Sequence, residues 1–221
     1  MSKIHIYCVP GLSASSKIYE FIKLPKEDFE IHLLEWLIPE SINETIEHYA
    51  ARMCETITEE NVALMGVSFG GVMVQEMSKI IHPKKIILIS SIKNKSELPK
   101  RLRLAKSSRA YKLFPAKSIT SIENFMSYVF GKMAKKRIEQ YKIYLSVRDE
   151  LYLKWSIYNV LHWQQKETLP NIIHIHGTSD HIFPFKHIKN SIKIEDGTHV
   201  MILNRAKKIS EIITEKLQNI S

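Results

Sequence analysis

A chain of 221 residues with 44% hydrophobic and 25% charged content suits one globular domain with a core of its own. No apolar run approaches the roughly 18–20 residues of a membrane span. The first ten residues carry one lysine and no separate apolar stretch with a small-residue cleavage site, so they are read as a first strand and not as a leader. Two cysteines, Cys8 and Cys54, make no disulfide framework and point to a reduced, cytoplasmic protein in which both are small buried hydrophobes. The net charge of +9 is unevenly spread. Residues 93–166 hold 17 Lys and Arg against 5 Asp and Glu, which leaves the rest of the chain slightly acidic.

In chain order, residues 3–9 form an apolar, β-rich run that stops at Pro10-Gly11. A second strand is expected over 29–37, stopped near Pro39, followed by a helix opening at Ser41 with a stripe through Ile42, Ile46, Tyr49, Ala50, Met53 and Ile57. A strand over 61–66, a helix over about 70–81 and a strand over 85–91 come next. Further strands are expected over 171–177 and 191–195, and a C-terminal helix over about 200–219. Short apolar strands alternating with amphipathic helices imply an α/β fold: a three-layer structure of about six mainly parallel strands flanked by helices.

The connection over residues 92–169 is too long for a simple crossover. It carries helix-like stripes, among them Leu102 and Leu104, Ile122 to Val129, Ile138 to Leu145, and Trp155 to Leu161. It is read as a helical cap inserted after the fourth strand, with residues 1–91 and 170–221 forming the core. The basic excess falls in this same segment.

Gly66-Val67-Ser68-Phe69-Gly70 fits the pattern G-x-S-x-G between an expected strand and an expected helix. That setting suits a strained turn that raises a serine hydroxyl above the sheet edge, with small residues at Gly66 and Gly70 letting strand and helix approach. A serine is a weak nucleophile until a base takes its proton, and the base needs an orienting carboxylate. Downstream, Asp180 stands just past strand 171–177, in Gly177-Thr178-Ser179-Asp180, and His199 follows the last strand in Gly197-Thr198-His199. Asp196 competes with Asp180 for the acid role, being three residues from His199 on the same loop. All of these residues fall at the C-terminal ends of strands, where open α/β sheets place their sites.

These three segments, in this order and spacing, resemble the α/β-hydrolase superfamily, in particular its small capped serine esterases. The resemblance covers nearly the whole chain. It implies a Ser68–His199–Asp180 triad and an oxyanion hole made by the backbone N–H groups of Leu12 and Phe69. It also implies hydrolysis of a carboxylic ester or thioester through an acyl-enzyme, with no cofactor. The chain departs from the family in two ways. It begins at what would be the family's third strand, and Pro10-Gly11 replaces the usual His-Gly of the oxyanion loop.

Other residues have milder readings. Ten histidines invite a metal, but no H-E-x-x-H or Cys/His ligand spacing exists, so none is expected. No phosphate-binding glycine loop is present. The aromatics Tyr111, Phe114, Phe125, Tyr128, Trp155 and Trp163 either line an acyl pocket or form the cap's own core. The basic cap is either a solvated face or a docking surface for an acidic acyl carrier protein or another anionic substrate. Lys135-Lys136-Arg137 lacks any surrounding nucleic-acid module, so no nucleic acid is expected. A hydrolase-like binding protein without catalysis is the alternative from another class.

Overall fold

The computed structural model describes residues 2–108, 143–145 and 149–218. Its centre is a six-stranded, wholly parallel sheet: β1 (Ile4–Val9), β2 (Phe29–Leu33), β3 (Val62–Val67), β4 (Lys85–Ile89), β5 (Ile172–Gly177) and β6 (Ile192–Ile194). The strands lie in the order β2-β1-β3-β4-β5-β6. Chain direction reverses its march across the sheet between β1 and β3, so the ends of these strands open a crevice for a site. All six residues of β3 are buried, as a strand covered on both faces requires.

Six α-helices accompany the sheet among the described residues. They are α1 (Ile46–Cys54), α2 (Phe69–Ile81), α3 (Lys100–Ser107), α4 (Glu150–His162), α5 (Met201–Asn204) and α6 (Ala206–Gln218). No helix among the described residues is long and apolar enough to cross a membrane. Cys8 and Cys54 are buried and unpaired with each other, and burial pushes the Cys54 thiol up to about 11.

Several boundaries differ from those expected. The second strand ends at Leu33 and not at residue 37. The Leu34 N–H still bonds Cys8 O, but Glu35 then turns aside to accept from the Ser16 N–H, and Trp36 turns into the core. The first helix starts at Ile46 and not at Ser41. Residues 41–44 form a turn, and Thr45 caps the helix by accepting from the His48 N–H at 3.2 Å. The C-terminal helix is broken at Arg205, whose φ of −124° and ψ of 17° depart from helical values.

The described part of the long insertion is tied into the sheet's core. In α4, Tyr152 and Trp155 are fully buried in the same cluster as β1 and β3. Trp155 stacks on Tyr49 at 4.2 Å and donates its indole N–H to Glu44 O. The Trp163 indole N–H donates to the buried Glu76 carboxylate. These two tryptophans are therefore core residues. Residues 143–145 touch the loop after β1: the Ser15 N–H donates to Tyr144 O, and Leu145 bridges to Ala14. Tyr111, Phe114, Phe125, Tyr128, the stripes over 122–129 and 138–142, and Lys135-Lys136-Arg137 lie outside the described residues.

Candidate active site

β3 ends at Val67, and α2 begins at Phe69, so Ser68 alone makes the turn between them. Its φ of 55° and ψ of −118° are values that a side-chain-bearing residue seldom adopts. The turn is held from below. Ser68 N–H donates to Ile89 O, Ser68 O accepts from the Gly71 N–H, and the Ser91 hydroxyl donates to Ser68 O at 2.7 Å. Gly66 and Gly70 are required by closeness. A Cβ on Gly66 would stand 2.3 Å from Gly70 O, and one on Gly70 would stand 2.3 Å from both Pro10 O and Val9 O. The second contact seats the start of α2 against the loop leaving β1.

The turn brings Ser68 to His199 and Asp180. Ser68 Oγ lies 2.8 Å from His199 Nε2, and His199 Nδ1 lies 2.9 Å from Asp180 Oδ2. With Nδ1–H donating to the carboxylate, Nε2 carries the lone pair that accepts the hydrogen bond of the Ser68 hydroxyl. Asp180 and His199 are buried, while Ser68 remains partly exposed. The Phe183 ring stands edge-on to His199 at 5.5 Å. Asp196, the other acid considered, is exposed at a turn with φ 54°, and its N–H donates to Thr178 Oγ1.

Asp180 is saturated with donors. Its Oδ1 accepts the N–H groups of Ile182 at 2.7 Å and Phe183 at 2.9 Å. Its Oδ2 faces His199 and, at 3.3 Å, His176 Nε2. Burial pushes the carboxyl upward, but His199 and His176 outweigh it and hold the acid below the usual carboxylate range. It stays charged beside the imidazole it orients.

Behind Asp180 stands a buried histidine pair, His174 and His176. His176 Nε2–H donates to Phe183 O at 2.8 Å, and His176 Nδ1 faces His174 Nε2 at 3.3 Å. His174 Nε2–H in turn donates to Ser91 O. Burial first, then His176 and Lys93, lowers the His174 pKa to about 3, so this imidazole is neutral. A neutral His174 with its proton on Nε2 fixes the His176 proton on the nitrogen that faces Asp180.

Phe69 follows Ser68 directly, and Leu12 lies in the loop that leaves β1. Phe69 is the first residue of α2, so its N–H has no acceptor within the helix. Neither this N–H nor that of Leu12 has a backbone partner among the described residues. The loop reaches the serine closely: a Cβ on Gly11 would stand 3.7 Å from Ser68 Cβ. Trp36 braces both sides. Its indole N–H donates to Gly11 O at 2.9 Å, and its ring stacks on Phe69 at 5.2 Å. Gly11 O and the Leu12 N–H belong to one trans peptide and point in opposite directions. Holding the carbonyl therefore aims the N–H. Trp36 was missed from sequence because it reads as one more apolar residue of a strand.

A cavity of about 1250 Å³ opens elsewhere, among α1, α2, α3 and α4, with Glu44, Glu76, Lys79, Tyr158 and His162 among its walls. It includes none of Ser68, Asp180 and His199.

No protein-family model and no curated protein sequence matches the chain. Solved structures do match in shape. A thermophilic esterase from Thermogutta terrifontis superposes with a TM-score of 0.71 at 14% identity, over 100% of this chain and 91% of that one. A Bacillus megaterium epoxide hydrolase gives 0.69 at 13% identity, over 99% and 94%. ClbQ, from the colibactin NRPS/PKS pathway, gives 0.63 at 11% identity, over 99% and 98%. Identities this low speak for a shared fold and leave the chemistry to the residues of this chain.

Proposed function

We propose that this chain, which has the α/β-hydrolase fold, is a serine hydrolase that cleaves a carboxylic ester or thioester. The observation that carries the reading is the unbroken line Ser68 Oγ, His199 Nε2, His199 Nδ1, Asp180 Oδ2, with gaps of 2.8 and 2.9 Å. Both gaps fall within the reach required of a nucleophile, its base and the group that orients the base.

The steps follow from that line. Ser68 Oγ attacks the acyl carbonyl carbon as its proton passes to His199 Nε2. Asp180 stabilises the resulting imidazolium. The carbonyl oxygen becomes an oxyanion facing the Leu12 and Phe69 N–H groups, and each such donor is worth about 2.7–4 kcal/mol of barrier. His199 returns the proton to the departing alkoxide or thiolate as the C–O or C–S bond breaks. Water then attacks the acyl-serine, giving its proton to His199, and the acid leaves as Ser68 recovers a proton.

A fluorophosphonate probe tests this reading. The protein is expected to be labelled, and Ser68→Ala to lose labelling entirely while melting like the parent. Full labelling of the alanine variant overturns the assignment.

A narrower substrate reading rests on charge. The 17 Lys and Arg against 5 Asp and Glu over residues 93–166 suit an ester carried on an acidic acyl carrier protein or bearing another anionic group.

A further inference from the structure

We propose that His5, His32 and Glu30 form a zinc-binding site that staples the edge strand β2 to β1, at the opposite end of the strands from Ser68. In the parallel pairing of β1 with β2, His5 stands beside Glu30, and Tyr7 beside His32. Glu30 and His32 are two apart on β2 and so share a face with His5. His5 Nδ1 lies 2.9 Å from His32 Nε2 and 3.9 Å from Glu30 Oε2. One ligand atom from each residue falls within 4.8 Å of the other two.

The surroundings favour a cation over a plain imidazole hydrogen bond. The far nitrogen of His5, Nε2, faces the Glu59 carboxylate at 3.9 Å. That distance is longer than a hydrogen bond, but the negative charge favours the tautomer with the proton on Nε2, which leaves Nδ1 for a metal. His32 is held in place by Tyr7, whose ring stacks on it at 4.4 Å and 12°. For a cation to enter, the proton shared between the rings moves to the far nitrogen of His32, so no net proton is lost. Zinc–nitrogen bonds of about 2.0–2.1 Å in tetrahedral array require the two nitrogens to open by only a few tenths of an ångström. Two imidazoles and one carboxylate suit zinc better than magnesium or calcium, which take oxygen ligands.

A second cluster, Glu40, Glu44 and His48, brings its side-chain ligand atoms equally close, but its centre is taken. The Arg52 guanidinium sits on both oxygens of Glu44 at 3.0 and 3.2 Å. At Glu30 the competing cation is Lys3, 3.9 Å away with both side chains largely exposed, which is a weak pair. The position also gives the ion work to do. β2 is five residues long and pairs only with β1 among the described residues. Such an edge is the part of a sheet most open to fraying or to unwanted pairing.

The test is calorimetric titration of untagged, chelator-treated protein with zinc chloride at neutral pH, beside magnesium chloride. One zinc per chain is expected, with no magnesium heat, and amide exchange over residues 29–33 is expected to slow when zinc is bound. His5→Ala and His32→Ala should each abolish the saturable binding. Glu59→Gln should weaken it by a factor of a few, since only the charge facing His5 is lost. His48→Ala should leave it unchanged. Absence of saturable binding in the parent, its persistence in both histidine variants, or its loss in His48→Ala overturns the proposal. None of these readouts depends on Ser68 chemistry, so failure here and failure of the hydrolase reading are separate results.

Discussion

Gly177 and Gly197 meet backbone to backbone: a Cβ on Gly177 would stand 2.1 Å from Gly197 O, and one on Gly197 would stand 2.9 Å from Gly177 Cα. The Ser179 N–H donates to Gly197 O at 2.9 Å across the same contact. Gly177 ends the strand that leads to Asp180, and Gly197 opens the loop that carries His199. The contact thus sets the separation between acid and base before either side chain is placed. Gly177→Ala must push these two backbones apart. It is expected to lower stability by about 1–3 kcal/mol, the usual cost of overpacking. It should also slow probe labelling of Ser68, because the His199–Asp180 bond is stretched. Denaturant melts and labelling rates measure the two effects, and a variant that labels at the parent rate shows that the loops tolerate the separation.

Trp36 offers a sharper separation of packing from aim. Trp36→Phe keeps a ring against Phe69 but removes the N–H that holds Gly11 O. The Ala14 N–H still bonds that carbonyl at 3.0 Å, so the loop should survive with its peptide less fixed. Turnover of a simple ester is expected to fall about tenfold, less than the 10²–10³ of deleting an oxyanion donor outright. KM should change little, since the lost effect belongs to the transition state. A rise in KM with unchanged kcat would mean that Trp36 shapes the pocket instead.

These two sets of contacts mark where the sequence stopped being legible. Ser68, Asp180 and His199 could be read because each sits just after a short apolar strand, and strand ends are local features. The parallel sheet was readable for the same reason. Trp36 was not, because its bond to Gly11 joins residues 25 positions apart in a way that no periodicity encodes. The end of β2 was missed on the same ground: Leu34 to Leu37 continue an apolar pattern, yet Glu35 leaves the sheet to reach Ser16. Asp196 and Asp180 looked like rivals because proximity in sequence favoured the one and strand placement the other. The structure separates them: Asp180 Oδ2 lies 2.9 Å from His199 Nδ1, while Asp196 is exposed at its turn.

His174 makes stability depend on pH in a predictable direction. Its folded pKa of about 3 lies below the ordinary 6.5, so the unfolded chain binds a proton there that the folded chain refuses. The stabilisation is present above 6.5 and is lost as pH falls toward 3. The steepest contribution of one such group is about 1.4 kcal/mol per pH unit. Asp180, held below its ordinary 3.8, adds a further loss only in the more acidic range. Stability should therefore begin to fall already below neutrality. His174→Gln, neutral throughout, should flatten the fall between neutral pH and about pH 5. Urea midpoints across that range measure it, and an unchanged slope in the variant would assign the proton uptake to another group.

Arg101 and Arg103 lie two residues apart on α3, yet they should respond differently to substitution. The Arg101 guanidinium donates to His181 O at 2.6 Å and to Ile182 O at 3.2 Å. Those carbonyls belong to the turn whose N–H groups at Ile182 and Phe183 hold Asp180 Oδ1. Arg101 is therefore a brace for the acid's turn, and its charge is already used. Arg103 is exposed on the same helix. Arg101→Gln is expected to reduce turnover of every ester, free or carrier-bound, by a factor of a few, because a charged hydrogen bond of about 1.5–3 kcal/mol is lost from a loop and not from the reacting atoms. Arg103→Glu should leave small free esters untouched. If the basic segment docks an acidic carrier, Arg103→Glu should lower kcat/KM for the carrier-bound ester alone and weaken its salt dependence. Equal losses on free and carrier-bound esters in Arg103→Glu would remove the carrier from the substrate reading while leaving the hydrolase intact.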